Sequence, residues 1–302
     1  MNLRDLRYVC AVADHRHFGR AAEACHVSQP TLSGQIRKLE AYLGVDLFER
    51  SNRTVRPTPM GAEIAARARV LLQQAAEIER LAEAGRDPEA GALRLGMIAT
   101  VAPALLPLCL SALRQRFPRL KPGFVEDLTD TLLRRLDDGV LDAAVLATAP
   151  PDAGLRELPL YSEPFLVAMP RNHPLGKAAQ VKMSALEDVH LLLLTDGHCL
   201  RDQALEVCAA AVPPQQIDTS ATSLETLVNL VGAGHGVTLV PALSARPSWE
   251  KDPGVICRPL DDASASRLVR LVYRAGFPRA SLLEEIAACI RDAVPGTVTP
   301  AR

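Results

Sequence analysis

The spacing of apolar residues in the first part of the chain is helical. Apolar side chains recur every three or four positions over residues 3–13 and again over residues 18–24, which predicts two amphipathic helices. Ser28 is a plausible N-cap for a third helix, and Pro30 suits its first turn, where the missing N–H of proline has no partner to lose. A helix, a tight turn and a second, capped helix predict a helix-turn-helix, whose second helix presents polar residues to the major groove of DNA.

A long helix is predicted to follow this unit. Residues 59–84 are rich in Ala, Glu, Arg and Leu and contain no helix breaker after Gly61. Their apolar side chains form one stripe, as in a helix that packs against a partner. The stripe consists of Ala65, Ala68, Leu72, Ala75, Ile78 and Leu81. Glycines at both ends of residues 85–91, with Asp87 and Pro88 between them, predict a hinge after the helix.

From residue 93 onward, short apolar runs alternate with helical segments. Strands are predicted at residues 93–99, 122–128, 141–147, 165–170, 191–194, 237–241 and 267–273. Helices are predicted at residues 102–117, 129–138, 199–208, 224–233 and 281–294. Such alternation is typical of parallel α/β units, in which helices cover a central sheet.

Composition narrows the classes of function. The formal net charge is −1, so any nucleic-acid surface must be local. A charged N-terminus and only short apolar runs favour a cytoplasmic protein without a membrane span, in a compartment where thiols are kept reduced. Seven cysteines without a CxxC pair argue against a disulfide scaffold or a zinc ribbon. Neither a metal nor a cofactor is expected.

One local positive surface is predicted after the helix-turn-helix. Arg50, Arg53 and Arg56 fall within a short, turn-rich segment that looks like a wing. Arginines in such a wing would contact DNA phosphates and fix the register of the protein without reading base sequence. The alternative is that the three residues belong to a solvated loop.

Residues 195–208 contain the best candidate for chemistry. Cys199 directly follows His198, at the apparent start of a short amphipathic helix that ends near Cys208. A helix N-terminus and a neighbouring imidazole both favour a thiolate, so Cys199 is the best nucleophile candidate. Along a continuous helix the two cysteine Cα atoms lie roughly 13 Å apart, whereas a disulfide needs about 4.4–6.8 Å. Joining the sulfurs would unwind the helix. Alternatively, both cysteines are ordinary buried residues.

Two sequence runs resemble one known family. Residues 28–40, with the Gly-Val-Asp-Leu-Phe-Glu-Arg run that begins at Gly44, are similar to the DNA-binding domain of LysR-type transcriptional regulators. Residues 197–204 and their spacing to Cys208 resemble the redox loop of the peroxide-sensing branch of that family. The resemblance implies an α/β protein with an N-terminal winged helix-turn-helix, a long linker helix and a two-lobed, periplasmic-binding-protein-like α/β sensor domain.

This resemblance implies domain bounds. They are 1–58 for the DNA-binding domain, 59–90 for the dimerising linker helix and its hinge, and 91–302 for the redox-sensing domain, with lobe one at 93–163 plus 268–302 and lobe two at 164–267.

The same resemblance implies site residues. Those implied to contact DNA are Gln29, Pro30, Thr31, Ser33, Gln35 and Arg37 on the recognition helix, with Arg50 and Arg53 in the wing. The implied peroxide pocket contains Thr100, Thr129 and His198 beside Cys199, and Arg267 is the candidate guanidinium that holds the thiolate. Each threonine could instead cap its helix, and Arg267 could lie on an exposed face.

The implied chemistry is oxidation without turnover. Hydrogen peroxide would convert Cys199 to a sulfenic acid that condenses with Cys208, and a cellular dithiol reductant would restore both thiols. Implied partners are double-stranded promoter DNA, RNA polymerase and further copies of the chain in a homodimer or homotetramer. The other cysteines, Cys10, Cys25, Cys109, Cys257 and Cys289, are interpreted as packing residues. Near Asp218 the chain is small and acidic, a departure from the basic and aromatic residues of relatives.

Two other functions fit parts of the pattern. A LysR-type regulator could respond to a small organic inducer in the cleft, with both cysteines incidental. A thiol peroxidase could use Cys199 as the peroxidatic residue and Cys208 as the resolving residue, although the helix-turn-helix argues against an enzyme.

Overall fold

The computed structural model describes residues 1–50, 55–87, 89–151, 153–187, 189–208, 220–251 and 254–301. The chain divides into two compact units, residues 1–85 and 86–302. The elements that begin in the first unit are α1 (Leu3–His15), α2 (Phe18–Ala24), α3 (Gln29–Leu43), β1 (Phe48–Arg50), β2 (Val55–Pro57) and α4 (Pro59–Arg86).

The helix-turn-helix of the first unit forms where the sequence predicts it. Ser28 Oγ accepts a hydrogen bond from the Thr31 backbone N–H at 3.3 Å, and Pro30 lies in the first turn of α3. The predicted N-cap is therefore confirmed. Leu32 and Ile36, on the inner face of α3, are fully buried against apolar side chains of α1 and α2. β1 and β2 then pair as a short antiparallel ribbon in the place of the predicted wing.

The second unit contains the remaining helices and strands. They are β3 (Gly91–Ile98), α5 (Ala102–Arg116), β4 (Leu120–Asp127), α6 (Thr129–Asp137), β5 (Ala143–Leu146), β6 (Leu155–Pro170), β7 (Leu193–Leu194), α7 (Cys199–Cys208), β8 (Ser220–Ala221), α8 (Leu224–Gly232), β9 (Thr238–Pro241), β10 (Val255–Pro259), β11 (Ser266–Arg274), α9 (Ala280–Ala293) and β12 (Thr299–Pro300). Short 3₁₀ turns connect several of them, including Ala242–Ser244.

The main sheet is mixed rather than parallel. Its strand order is β10-β6-β11-β5-β3-β4, with β9 and β12 also paired to β6. β3 is parallel to β4 and β5, as the alternating pattern predicts. β11 and β6 pair antiparallel with each other, and β11 is also antiparallel to β5. The predicted parallel arrangement therefore holds for β3, β4 and β5, whereas β6 and β11 run through the unit in opposite directions.

Two hydrophobic cores share the long strands. Leu160 and Tyr161 of β6 belong to the first core, with α5, α6 and α9, whereas Phe165 and Val167 belong to the second. On the β11 side, Ala265 packs in the second core and Val269 in the first. We call the parts built around these cores lobe one and lobe two. The chain thus crosses between the lobes at residues 162–164 and again at residues 266–268, and the site described next lies at these crossings.

Candidate functional site

A short turn places Cys199 at the start of α7. Gly197 adopts a φ of +90°, a conformation that side chains with a Cβ rarely accept. Arg201 holds the turn by donating to the Leu194 carbonyl at 3.1 Å and by pairing with Asp196 at 2.8 Å. The helix begins at Cys199, the residue that the sequence predicts at its N-terminus.

The two ends of α7 belong to different lobes. Cys199 is 8% exposed and packs in the core of lobe one, whereas Leu200, Ala204 and Cys208 pack in the core of lobe two. Gln203 adds a second tie to lobe one, because its Nε2 donates to the Ala147 carbonyl at 2.8 Å. The helix therefore spans the junction between the lobes.

Both helix-end cysteines are free and buried. α7 is continuous from Cys199 to Cys208, and its length separates the two Cα atoms by roughly 13 Å. A disulfide needs about 4.4–6.8 Å between Cα atoms. The two sulfurs therefore cannot bond in this conformation unless α7 unwinds.

A buried ion pair lies beside Cys199 at the strand crossings. Arg267 on β11 is the direct cross-strand neighbour of Glu163 on β6, and their side chains are 1% and 0% exposed. Arg267 Nε donates to Glu163 Oε1 at 2.9 Å, and Arg267 Nη2 lies 2.8 Å from the same oxygen as the ion-pair contact. The same guanidinium donates to Thr100 Oγ1 at 3.0 Å and to the Thr100 carbonyl at 3.2 Å. The alternative of an exposed arginine is therefore excluded.

Neither threonine of the predicted pocket caps its helix. Val101 is the N-cap residue of α5 and Leu128 that of α6, so Thr100 and Thr129 are free for other roles. Thr129 Oγ1 is buried and makes no conventional hydrogen bond among the described residues. Its hydroxyl is nevertheless close enough to the Cys199 sulfur to favour the thiolate.

A small cavity lies between these groups. Its volume is about 10 Å³, and Thr100, Thr129, His198 and Cys199 all contribute to its lining. On this scale a single water molecule needs about 10–15 Å³, so the cavity is barely large enough for one water. A wider cleft of about 190 Å³, which Thr100 and His198 also line, continues from it toward Ser223 and Trp249.

The electrostatics of Cys199 differ from the prediction. Burial raises the pKa of the Cys199 thiol above its usual value of 9.0, and this cost exceeds the opposing effects of the Arg267 charge and the Thr129 hydroxyl, while Asp202 raises the pKa further. Burial also lowers the pKa of His198, although a hydrogen bond with the Thr222 backbone opposes this. At neutral pH His198 is therefore uncharged and Cys199 is mostly a thiol. The prediction of a resting thiolate favoured by the imidazole is wrong, because burial raises the pKa of the Cys199 thiol and lowers that of the His198 imidazole.

The remaining cysteines are all buried or half-buried. Burial raises the pKa of Cys208 to about 11. Cys10 and Cys109 are buried, and Cys25, Cys257 and Cys289 are half-buried.

No grouping of His, Cys, Asp and Glu within the described ranges could hold a metal ion. Within the same ranges, no helix has the length and apolarity to cross a bilayer. Asp218 lies outside the described residues.

The candidate DNA-contacting residues lie on α3 and the ribbon. Gln29, Pro30, Thr31 and Arg37 are exposed on α3, whereas Ser33 and Gln35 are half-buried. The Thr31 hydroxyl also hydrogen-bonds with Ser28 Oγ at 2.8 Å. In the ribbon, Arg56 on β2 is exposed and pairs across the strands with Glu49. Arg50 ends β1, and Arg53 falls outside the described residues.

Two residues of the site are not among those predicted from the sequence. Glu163 holds Arg267, and Gln203 ties α7 to lobe one. The signal for Glu163 was a lone acidic residue between apolar runs, but its meaning depends on the antiparallel pairing of β6 with β11. Gln203 lies one helical turn after Cys199, on the same face of α7, which is the signal that could have identified it.

Comparison with family models covers most of the chain. The model described as LysR substrate binding domain matches residues 86–295. The model described as bacterial regulatory helix-turn-helix protein, lysR family, matches residues 3–62. Between them, the two matches include α3 and every residue of the small cavity.

Individual relatives match over more than nine-tenths of their length. The DNA-binding transcriptional dual regulator OxyR of Escherichia coli (strain K12) is 45% identical over 296 residues, which are 98% of this chain and 97% of that protein. Full-length OxyR from Pseudomonas aeruginosa, solved as a point variant, is 40% identical with a TM-score of 0.75 and covers 100% of this chain and 98% of its own. A hydrogen-peroxide-bound OxyR mutant of Corynebacterium glutamicum is 39% identical with a TM-score of 0.67, covering 97% and 92%.

Proposed function

The chain belongs to the LysR family of transcriptional regulators, in its OxyR-type branch, and we propose that it senses hydrogen peroxide through Cys199 and responds by forming a Cys199–Cys208 disulfide. The observation that carries the proposal is the cavity of about 10 Å³ in front of Cys199, with the Thr100 and Thr129 hydroxyls in its lining. A peroxide-bound relative supports the same ligand.

The size of this cavity favours peroxide over an organic inducer. A cavity that barely holds one water admits a diatomic oxidant only with small adjustments, and it excludes a carboxylic acid or an aromatic ring. The neighbouring cleft of about 190 Å³ is larger, but it does not include Cys199. An inducer bound there would leave the buried thiol and its two hydroxyl neighbours without a role.

The proposed reaction consumes one peroxide and both thiols. The Cys199 thiolate attacks one peroxide oxygen, the O–O bond breaks, and the departing hydroxide takes a proton to become water. The resulting sulfenic acid reacts with the Cys208 thiol, which forms the S–S bond and releases a second water. A cellular dithiol returns two electrons and two protons by thiol–disulfide exchange.

Reaction is limited by the small thiolate fraction. The pKa of Cys199 is raised above 9.0, so at neutral pH only a minor population is nucleophilic. Arg267 and Thr129 act against burial and increase that population. The groups around the cavity therefore contribute both to forming the nucleophile and to orienting the oxidant.

The output of the proposed sensor is binding to promoter DNA. Gln29 and Arg37 on α3 are exposed and have side chains that suit base and phosphate contacts, respectively. We infer that α4 pairs two copies of the chain, so that two recognition helices bind one dyad-symmetric site, and that such dimers associate into tetramers that contact RNA polymerase. Sensing is proposed to proceed without catalytic turnover, in the cytoplasm, where a dithiol reductant resets the protein.

Thiol mapping tests the proposal directly. After one equivalent of hydrogen peroxide, mass spectrometry of the full-length protein should find Cys199 linked to Cys208. Cys199→Ser should prevent the reaction, because a hydroxyl is a far weaker nucleophile near neutral pH. Cys208→Ser should accumulate the sulfenic acid, which a sulfenic-acid reagent traps.

A matched control uses another cysteine of lobe two. Burial raises the pKa of Cys257 to about 11, as it does for Cys208. Cys257 lies in β10 and not in α7, so Cys257→Ser should react as the wild type does. Equal sulfenic-acid labelling in the wild type and in Cys208→Ser, without any disulfide in the wild type, would contradict the two-cysteine mechanism.

A further inference from the structure

We propose that Glu163 is a positioning residue for the peroxide reaction: it fixes the Arg267 guanidinium so that the Thr100 hydroxyl is held as a hydrogen-bond donor to the oxidant. This inference rests on the proposed function, since it assigns a further residue to the same site. It follows from the cross-strand placement of Glu163 and from the way the donors of Arg267 are distributed.

The position of Glu163 is fixed from two sides. Its Oε1 accepts from Arg267 Nε and forms the ion pair with Nη2, and its Oε2 accepts from the Leu243 backbone N–H at 2.9 Å. Leu243 belongs to the 3₁₀ turn Ala242–Ser244, and Ser244 Oγ donates to the Thr100 carbonyl at 3.3 Å. The carboxylate therefore connects both strand crossings with a turn that also holds Thr100.

Each of the three guanidinium nitrogens makes a hydrogen bond. An arginine has five N–H groups. In Arg267 the Nε–H donates to Glu163 Oε1, one Nη2–H donates to the Thr100 carbonyl and one Nη1–H donates to Thr100 Oγ1. Nη2 also lies 2.8 Å from Glu163 Oε1 as the second contact of the ion pair. Without Glu163, the Nε–H loses its acceptor and the buried guanidinium loses its counter-charge, so the planar group would rotate to find another acceptor.

The orientation of Arg267 determines what Thr100 can do. A hydroxyl has one donor and accepts through its lone pairs. Because Thr100 Oγ1 accepts from Arg267, its own hydrogen points elsewhere, and Thr100 lines the cavity next to Cys199. A donor aimed into the cavity stabilises the negative charge that develops on the leaving peroxide oxygen. A rotated guanidinium would remove this constraint.

The test compares two reagents at Cys199 of the full-length protein. Hydrogen peroxide needs both the thiolate and an oriented donor, whereas iodoacetamide needs the thiolate alone. Rate constants for both are measured across pH by mass spectrometry of the peptide that contains Cys199. Glu163→Gln should lower the ratio of peroxide rate to iodoacetamide rate by about ten- to a hundredfold, the same size of loss as when a residue that orients a metal ligand is removed.

A second ion pair on the same strands supplies the control. Glu157 on β6 pairs with Arg270 on β11 at 3.0 Å, and it has no contact with Thr100. Glu157→Gln removes the same charge from the same strand, so its rate ratio should equal that of the wild type. An equal loss in Glu157→Gln, or an unchanged ratio in folded Glu163→Gln, would overturn the proposal.

A milder variant covers the case in which Glu163→Gln does not fold. Glu163→Asp keeps the charge but shortens the side chain by one methylene, so the rate ratio should still fall. In a Thr100→Val background, which lacks the hydroxyl, Glu163→Asp should cause no further loss, and a further loss there would overturn the proposal. If wild-type Cys199 does not react with peroxide at all, the proposed function fails, and this outcome is distinct from a ratio that Glu163 does not affect.

Discussion

Truncating Leu200 should make the proposed Cys199–Cys208 disulfide easier to form. Leu200 is 3% exposed and packs in the core of lobe two while α7 is helical. Because the two cysteines cannot meet unless α7 unwinds, we expect oxidation to release this side chain from the core. Leu200→Ala therefore destabilises the reduced form more than the oxidised form.

The size of the effect follows from the burial of Leu200. Truncating a buried leucine to alanine costs about 2–5 kcal/mol, and for a two-electron couple about 1.4 kcal/mol corresponds to about 30 mV. If the whole cost falls on the reduced form, the reduction potential should become more negative by roughly 40–110 mV. Partial repacking of Leu200 after oxidation would reduce the shift toward the lower bound.

Redox titration with matched variants measures this shift. The fraction of linked Cys199 and Cys208 is determined by thiol labelling in buffers of defined dithiol potential. Leu186→Ala is the control, because Leu186 is fully buried in the same core but lies in a 3₁₀ turn outside α7. It should lower stability without moving the potential. Equal potentials for Leu200→Ala and wild type, in the presence of a normal disulfide, would show that α7 does not unwind at this position.

Two further predictions concern proton and DNA chemistry. The raised pKa of Cys199 means that its thiolate fraction grows with pH up to a value above 9.0, so alkylation by iodoacetamide should increase about tenfold per unit between pH 6 and 8.5; a plateau within that range would contradict the burial argument. On α3 and β2, Gln29→Ala should relax base preference by about 1–3 kcal/mol, whereas Arg56→Ala should weaken specific and non-specific binding alike and reduce the salt slope by about one. Competition binding with altered operators separates the two effects, and an unchanged preference in Gln29→Ala would reject the recognition-helix assignment.

The parts of the fold that depend on neighbouring residues were predictable. The α3 cap at Ser28 and the helix that starts at Cys199 follow from local patterns, and both form as expected. The parallel strands β3, β4 and β5 also follow, because each is separated from the next by a helix. These features require no knowledge of distant parts of the chain.

Features that depend on contacts between residues far apart in the sequence could not be predicted. The sequence pattern predicts only residues 165–170 of β6 as a strand, because Pro159 and Pro164 interrupt the apolar pattern before them. Without that strand, Glu163 has no visible connection to Arg267, which lies 104 positions later in the chain. The sign of the Cys199 pKa shift was wrong for a related reason. Helix position is readable from sequence, but desolvation depends on which side chains of other elements cover the sulfur.

The position of α7 constrains how an oxidised site can influence DNA binding. Cys199 belongs to the core of lobe one and Cys208 to that of lobe two, so a bond between them must withdraw at least one sulfur from its core. Gln203 adds the hydrogen bond to Ala147, which also breaks if its turn of helix unwinds. The reduced helix α7 thus connects the two lobes. Since neither cysteine lies in residues 1–58, we expect a signal to the recognition helix to begin with this change in the contacts between the two lobes.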